Sequence, residues 1–161
     1  MSIIGIDPGS RVTGWGILRE EQGRFHYCGS GIIRLPNADF AIRMAKLYEE
    51  LSQVMKEFKP EYAAVESLFV HKNANSALKL GHARGVILLA CQHQGIPVSE
   101  YAPRLIKQAV SGYGHADKKQ VMSCVELLVN HKKDWVSDES DALAMAICHA
   151  NHAHLKQWSL A

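Results

Sequence analysis

The chain has 161 residues, 47% of them hydrophobic and 21% charged, so it can bury a core without disulfide or metal staples and is too apolar to stay disordered. A net charge of +2 excludes no class of partner by itself. Cys28, Cys91, Cys124 and Cys148 are widely spaced with no C-x-x-C pair, and apolar runs such as GVILLAC are short, which disfavours a disulfide frame, a zinc site or a membrane span.

The opening residues read as a strand, GWGILRE as a second and GRFHYCGSGIIRL as a third, joined by short glycine turns as in an antiparallel meander. ADFAIRMAKLYEELSQVMKEFKP places Phe40, Met44, Leu47, Leu51, Val54, Met55 and Phe58 at helical spacing, with Asp39 as N-cap and Pro60 as stop. EYAAVES is a buried strand, NSALKLGHARGVILLACQHQG a helix closed by Gly95, and IPVSEY a further strand. Helices PRLIKQAV and DKKQVMSCVELLVN follow, separated by the loop SGYGHA, and a last helix opens near Ser137, its expected N-cap. This order predicts an α/β fold whose mixed sheet has the meander at one side and crossover units at the other. A cytoplasmic protein is expected, without membrane contact, as one domain over residues 1–161 with a disordered tail from about residue 153.

Carboxylates stand where they are costly. Asp7 closes the apolar strand Ile3–Ile6, and Glu66 closes AAVE; each is followed by a loop. If the two strands are parallel neighbours, both acids reach the edge where open α/β sheets bind ligands. Asp138 and Asp141, three residues apart in SDESDALAMAICHA, share a face of the last helix. Each acid alone also has an ordinary reading, as a strand-end turn residue or a partner for the helix dipole. Four converging carboxylates would repel unless divalent cations neutralise them. Oxygen ligands suit Mg²⁺, with Mn²⁺ as substitute, and two ions roughly 4 Å apart serve in-line phosphodiester hydrolysis.

The distribution of charge is more telling than its sum. From Ser67 to Ala116 the only acid is Glu100, while Lys72, Lys79, Arg84, Arg104 and Lys107 fall there and Lys118 and Lys119 follow Asp117. A basic tract beside an acidic centre suits a phosphate-tracking enzyme, and a solvated helix face is the plain alternative for Lys79 and Arg84. Phe69, three residues past Glu66, either stacks on a base or anchors its loop in the core. Ala77, Gly81 and Gly85 make a strip of small residues on one helix face, for close packing on the chain's own sheet or on a second copy.

GIDPGSRVTGWG, VESLFVHKNANSALKLGHARGV and SDESDALAMAICH together resemble the RuvC Holliday-junction resolvases of bacteria, within the ribonuclease H-like superfamily, from about Met1 to about His152. The resemblance implies a ribonuclease H-like fold: a five-stranded mixed sheet with helices on both faces. It implies a homodimer that binds four-way junction DNA and nicks two strands of like polarity, leaving 5′-phosphate and 3′-hydroxyl ends. Asp7, Glu66, Asp138 and Asp141 match the family's metal-binding catalytic residues, with two Mg²⁺ per subunit. Phe69 matches the aromatic at the opened crossover, and Lys107 and Lys118 match basic residues that assist cleavage. RuvA and RuvB, the branch-migration proteins, are the implied partners. Some relatives replace the last acid by histidine; this chain keeps Asp141. An actin-like ATPase would need two larger domains, and neither an RNA–DNA hybrid nuclease nor a non-catalytic junction binder accounts for the three motifs as well.

Overall fold

The computed structural model describes the backbone of residues 1–67 and 74–158, with side chains as far as residue 153. Strands β1 (Ser2–Asp7), β2 (Val12–Glu21), β3 (Arg24–Arg34), β4 (Tyr62–Glu66) and β5 (Val98–Tyr101) form one sheet in the order β3-β2-β1-β4-β5. The meander β1–β3 is antiparallel, and β4 and β5 add to it in parallel. The expected mixed sheet is therefore present. Among the described residues no helix is long and apolar enough to cross a membrane.

Strand alternation divides the molecule into two cores. Ile4, Ile6, Ile17, Ala63 and Val65 face α1 (Phe40–Phe58) and α2 (Ala74–His93). Ile3, Leu18 and Ala64 face α3 (Pro103–Ser111), α4 (Lys118–Leu128) and α5 (Ser137–Trp158). Asp7 and Glu66 keep step with Ile3 and Ala64, so both carboxylates belong to the α5 side. Their strands are the parallel neighbours β1 and β4, ending at the same edge.

Helix α5 sits between the sheet and helices α3 and α4, and every residue from Ala142 to Ala150 is buried. Its backbone rests directly on glycines. A Cβ on Gly5 would lie 1.8 Å from the Ala142 carbonyl oxygen, and one on Gly14 would lie 2.2 Å from that of Asp138. On Gly16 it would meet Leu143 Cγ at 2.6 Å. Gly5 and Gly16 are register partners, so the three glycines form one patch across β1 and β2.

Two helix ends differ from expectation. Asp39 precedes α1 but its side chain makes no capping hydrogen bond; α1 stops at Lys59, which is left-handed (φ 50°) and donates its N–H to the Met55 carbonyl, with Pro60 next. Ser137 is the first residue of α5 and not its N-cap. The preceding Val136 has no side-chain acceptor, and the carboxylate of Glu139 reaches back to accept its N–H at 3.1 Å.

Gly5→Ala is expected to cost more than about 3 kcal/mol in chemical denaturation, or to prevent folding. Truncating residue 142 to glycine should not rescue it, because the clash is with a backbone carbonyl.

Candidate active site

Three elements deliver four acids to one place. β1 ends in Asp7 and β4 in Glu66, while the first turn of α5, lowered onto Gly14, brings Asp138 and Asp141 from above. Asp7, Glu66 and Asp141 line a cleft of about 220 Å³ together with Lys107 of α3 and Lys118 of α4; Pro103, Ile106 and Val121 form its apolar wall.

Crowding shows in the proton affinities. Burial, then the charges of Asp141, Asp138 and Glu66, raise the Asp7 pKa from 3.8 to about 7. Burial and then Asp141 raise that of Glu66, while Lys107 and Lys118 oppose the rise. Lys118 answers the cluster directly. Its Nζ donates to Asp141 Oδ2 at 3.3 Å and to Ser137 Oγ at 3.3 Å, and the charge of Asp141 raises its pKa. Lys118 stands first in α4, where Asp117 and Gln120 form a reciprocal capping box, so the cap fixes where the lysine starts.

The turn after Asp7 is held rigidly. Thr13, fully buried, donates its hydroxyl to the Gly9 carbonyl at 3.1 Å and accepts the Gly9 N–H at 3.3 Å. Arg43 of α1, only 8% exposed, donates from Nη1 to the Ser10 carbonyl at 3.0 Å, and its guanidinium lies 5.0 Å from the Phe40 ring centre.

The donor set is all carboxylate oxygen, which fits hard divalent cations and gives the Asp7 anion a reason to persist at neutral pH. Among the described residues no three His, Cys, Asp or Glu side chains are already posed around a single ion position. Among the described residues, Lys118 is the cation paired directly with the cluster, through Asp141.

The other residues singled out by sequence divide. Arg104 and Lys119 are exposed beside the α3–α4 loop, where the Arg104 side chain packs against Gly114. Arg84 is ion-paired with Glu100, the single acid of the basic tract, on the α2 side of the sheet. Arg84 would have to give up that pair to contact phosphate. Phe69 and Lys72 lie outside the described residues. Ala77, Gly81 and Gly85 fall on α2, and a Cβ on either glycine would meet nothing described within 4 Å. Among the described residues, therefore, Gly81 and Gly85 do not pack on the chain's own sheet. One acid escaped sequence reading: Glu139, between Asp138 and Asp141, is buried away from the cleft. The clue available was its place as N3 of a helix whose N-cap lacks a side-chain acceptor.

The family model described as Crossover junction endodeoxyribonuclease RuvC matches residues 3–149. The chain is 48% identical over 157 residues to the enzyme of that name from Geobacter sulfurreducens, covering 97% of this chain and 96% of the relative. It is 51% identical over 152 residues to the one from Brucella ovis, covering 93% and 87%. Among solved structures, T. thermophilus RuvC in complex with Holliday junction substrate superposes with a TM-score of 0.92 at 31% identity, over 97% of this chain and 96% of that one.

The Asp7 shift sets the sign of a stability effect. The folded state holds the Asp7 proton up to about pH 7 and the unfolded state only to about 3.8, so metal-free protein loses stability as pH rises through that window. Asp7→Asn removes this loss. Its melting temperature should exceed the parent's by several degrees above about pH 8, and the gap should close near about pH 4 in parallel melts without divalent cations.

Proposed function

The chain belongs to the RuvC family of crossover junction endodeoxyribonucleases, and from that premise we propose that it is a metal-dependent nuclease resolving four-way DNA junctions by paired nicks that leave 5′-phosphate and 3′-hydroxyl ends. The observation that carries the proposal is the convergence of Asp7, Glu66, Asp138 and Asp141 in one region, with Lys107 and Lys118 lining the same cleft.

Asp7, Glu66, Asp138 and Asp141 are the residues that would hold the metal, proposed as two Mg²⁺ per subunit with Mn²⁺ able to substitute. Such ions, when bound, supply an activated water and neutralise charge on the scissile phosphate. The chain's own contribution is placement. Asp7 and Glu66 come from strand ends and cannot drift, and the apolar wall of Pro103, Ile106 and Val121 limits water. Lys118, which rests on Asp141, and Lys107 are positioned to donate hydrogen bonds to phosphate oxygens at the cleft. Arg104, Lys119 and Lys72 are proposed to track the backbone of the arms, and Phe69 to stack at the crossover. Shape and phosphate contacts would then dominate recognition.

Two cuts need two centres, so the active form is proposed to be a homodimer. The open space beside Gly81 and Gly85, with Leu78 60% and Leu89 49% exposed on the same helix, supports α2 as the contact. Residues 1–161 are taken as one nuclease domain of the cytoplasm, working with RuvA and RuvB.

Labelled four-way junctions should be nicked in pairs only with Mg²⁺ or Mn²⁺, while linear duplex and RNA–DNA hybrid stay intact. Asp7→Asn should abolish cutting and keep junction affinity; Lys118→Ala should slow cutting by about tenfold or more with affinity changed less. Cleavage by Asp7→Asn, or loss of binding with it, would remove Asp7 from the catalytic role. Gly85→Leu should sediment as a folded monomer and lose paired nicking. On an unpartnered surface the same change would leave the assembly alone and strengthen the helix by up to about 1 kcal/mol.

A further inference from the structure

Glu139 stands between the two acids of α5, yet it is 4% exposed and lies outside the cleft lining. At 100° per residue it projects about 160° away from Asp141 around the helix axis. Three groups from two other parts of the chain converge on it. Oε1 accepts from Ser30 Oγ of β3 at 2.8 Å and from Lys133 Nζ at 2.7 Å; Oε2 accepts the Val136 N–H at 3.1 Å. Ser30 Oγ lies 3.0 Å from Tyr27 Oη, and Lys133 Nζ lies 5.6 Å from the centre of the Trp135 ring. Tyr27 in turn stacks on His131 at 4.3 Å and meets Trp135 edge-on at 5.4 Å. The far side of the first turn is thus tied to a strand and to the segment connecting α4 with α5.

Two constraints then act on that turn. The contact with Gly14 fixes how near it sits to the sheet. That contact bears on one side of the turn, through the carbonyl and Cβ of Asp138. Glu139 anchors a different side of the turn, toward Ser30 of β3 and away from Asp141, and a hydrogen-bonded anchor off the axis resists rotation. Its burial excludes contact with nucleic acid.

We propose that Glu139 is a positioning residue: with Ser30 and Lys133 it sets the rotation of the first turn of α5, and so the aim of Asp138 and Asp141 into the cleft. The proposal rests on reading that cleft as the nuclease centre.

The test compares the parent with Glu139→Ala, Glu139→Gln, Ser30→Ala and Lys133→Met in the full chain, by junction affinity, single-turnover cleavage in saturating Mg²⁺, and amide hydrogen exchange without metal. Glu139→Ala should bind junctions within about threefold of the parent and cleave about thirtyfold or more slowly. Exchange of the 137–141 amides should quicken about tenfold or more, with the sheet and the rest of α5 unchanged. Glu139→Gln keeps an acceptor for Val136 and should recover most of both. Cleavage within about threefold of the parent in Glu139→Ala overturns the proposal, as does an equal loss of binding and cleavage, or loosening spread over all of α5. Should Glu139→Ala not fold, Ser30→Ala and Lys133→Met decide: each should show faster 137–141 exchange and slower cleavage together, and unaltered cleavage despite faster exchange overturns it. A parent that does not cut junctions refutes the nuclease reading instead.

Discussion

The closest constraint in this molecule is backbone against backbone. Helix α5 approaches β1 and β2 until carbonyls of Asp138 and Ala142 occupy the places where side chains of Gly14 and Gly5 would stand. Everything chemical at the cleft depends on that distance. With any larger residue at those positions the helix would ride higher, and Asp138 and Asp141 would leave the reach of Asp7. The unbroken apolar run of α5 from Ala142 to Cys148 follows from the same arrangement, since α3 and α4 close over its back.

A centre built this way stores unfavourable energy. Asp7 is driven toward neutrality by burial and by three neighbouring carboxylates, and one lysine in contact with Asp141 cannot offset them all. The fold tolerates the repulsion because strand ends and a seated helix leave the acids no way to separate. Without divalent cations and above about pH 7, the raised Asp7 pKa implies a less stable fold than an amide there would give, a common relation between an active centre and its host. Burial elsewhere does the opposite for chemistry: the thiols of Cys91 and Cys148 are pushed up to about 12 and are inert.

Much of this was legible in the chain. The apolar runs SIIGID and YAAVE, each closed by an acid, told that Asp7 and Glu66 would share an edge if their strands were parallel neighbours, and β1 and β4 pair that way. The helices followed from apolar spacing. What sequence could not show was contact at particular atoms. Asp39 has the composition of an N-cap without forming one, and Ser137 lies one residue inside the helix. Arg84 looked like part of a phosphate-binding tract, yet the single acid of that tract, distant in sequence, neutralises it. Glu139 was concealed for a related reason: beside two acids in one turn, only the fold reveals that it points the other way.

Arg43 has a consequence of its own. The lysines of the cleft are reached by solvent, so dissolved ions weaken their pull on a polyanion. The guanidinium of Arg43 is enclosed, spends its hydrogen bond on the Ser10 carbonyl, and meets no carboxylate among the described residues. Its field is therefore hardly diluted by electrolyte. The turn that leaves Asp7 is thus braced at Ser10 by a charge whose grip should change little with the medium, unlike that of the exposed cations.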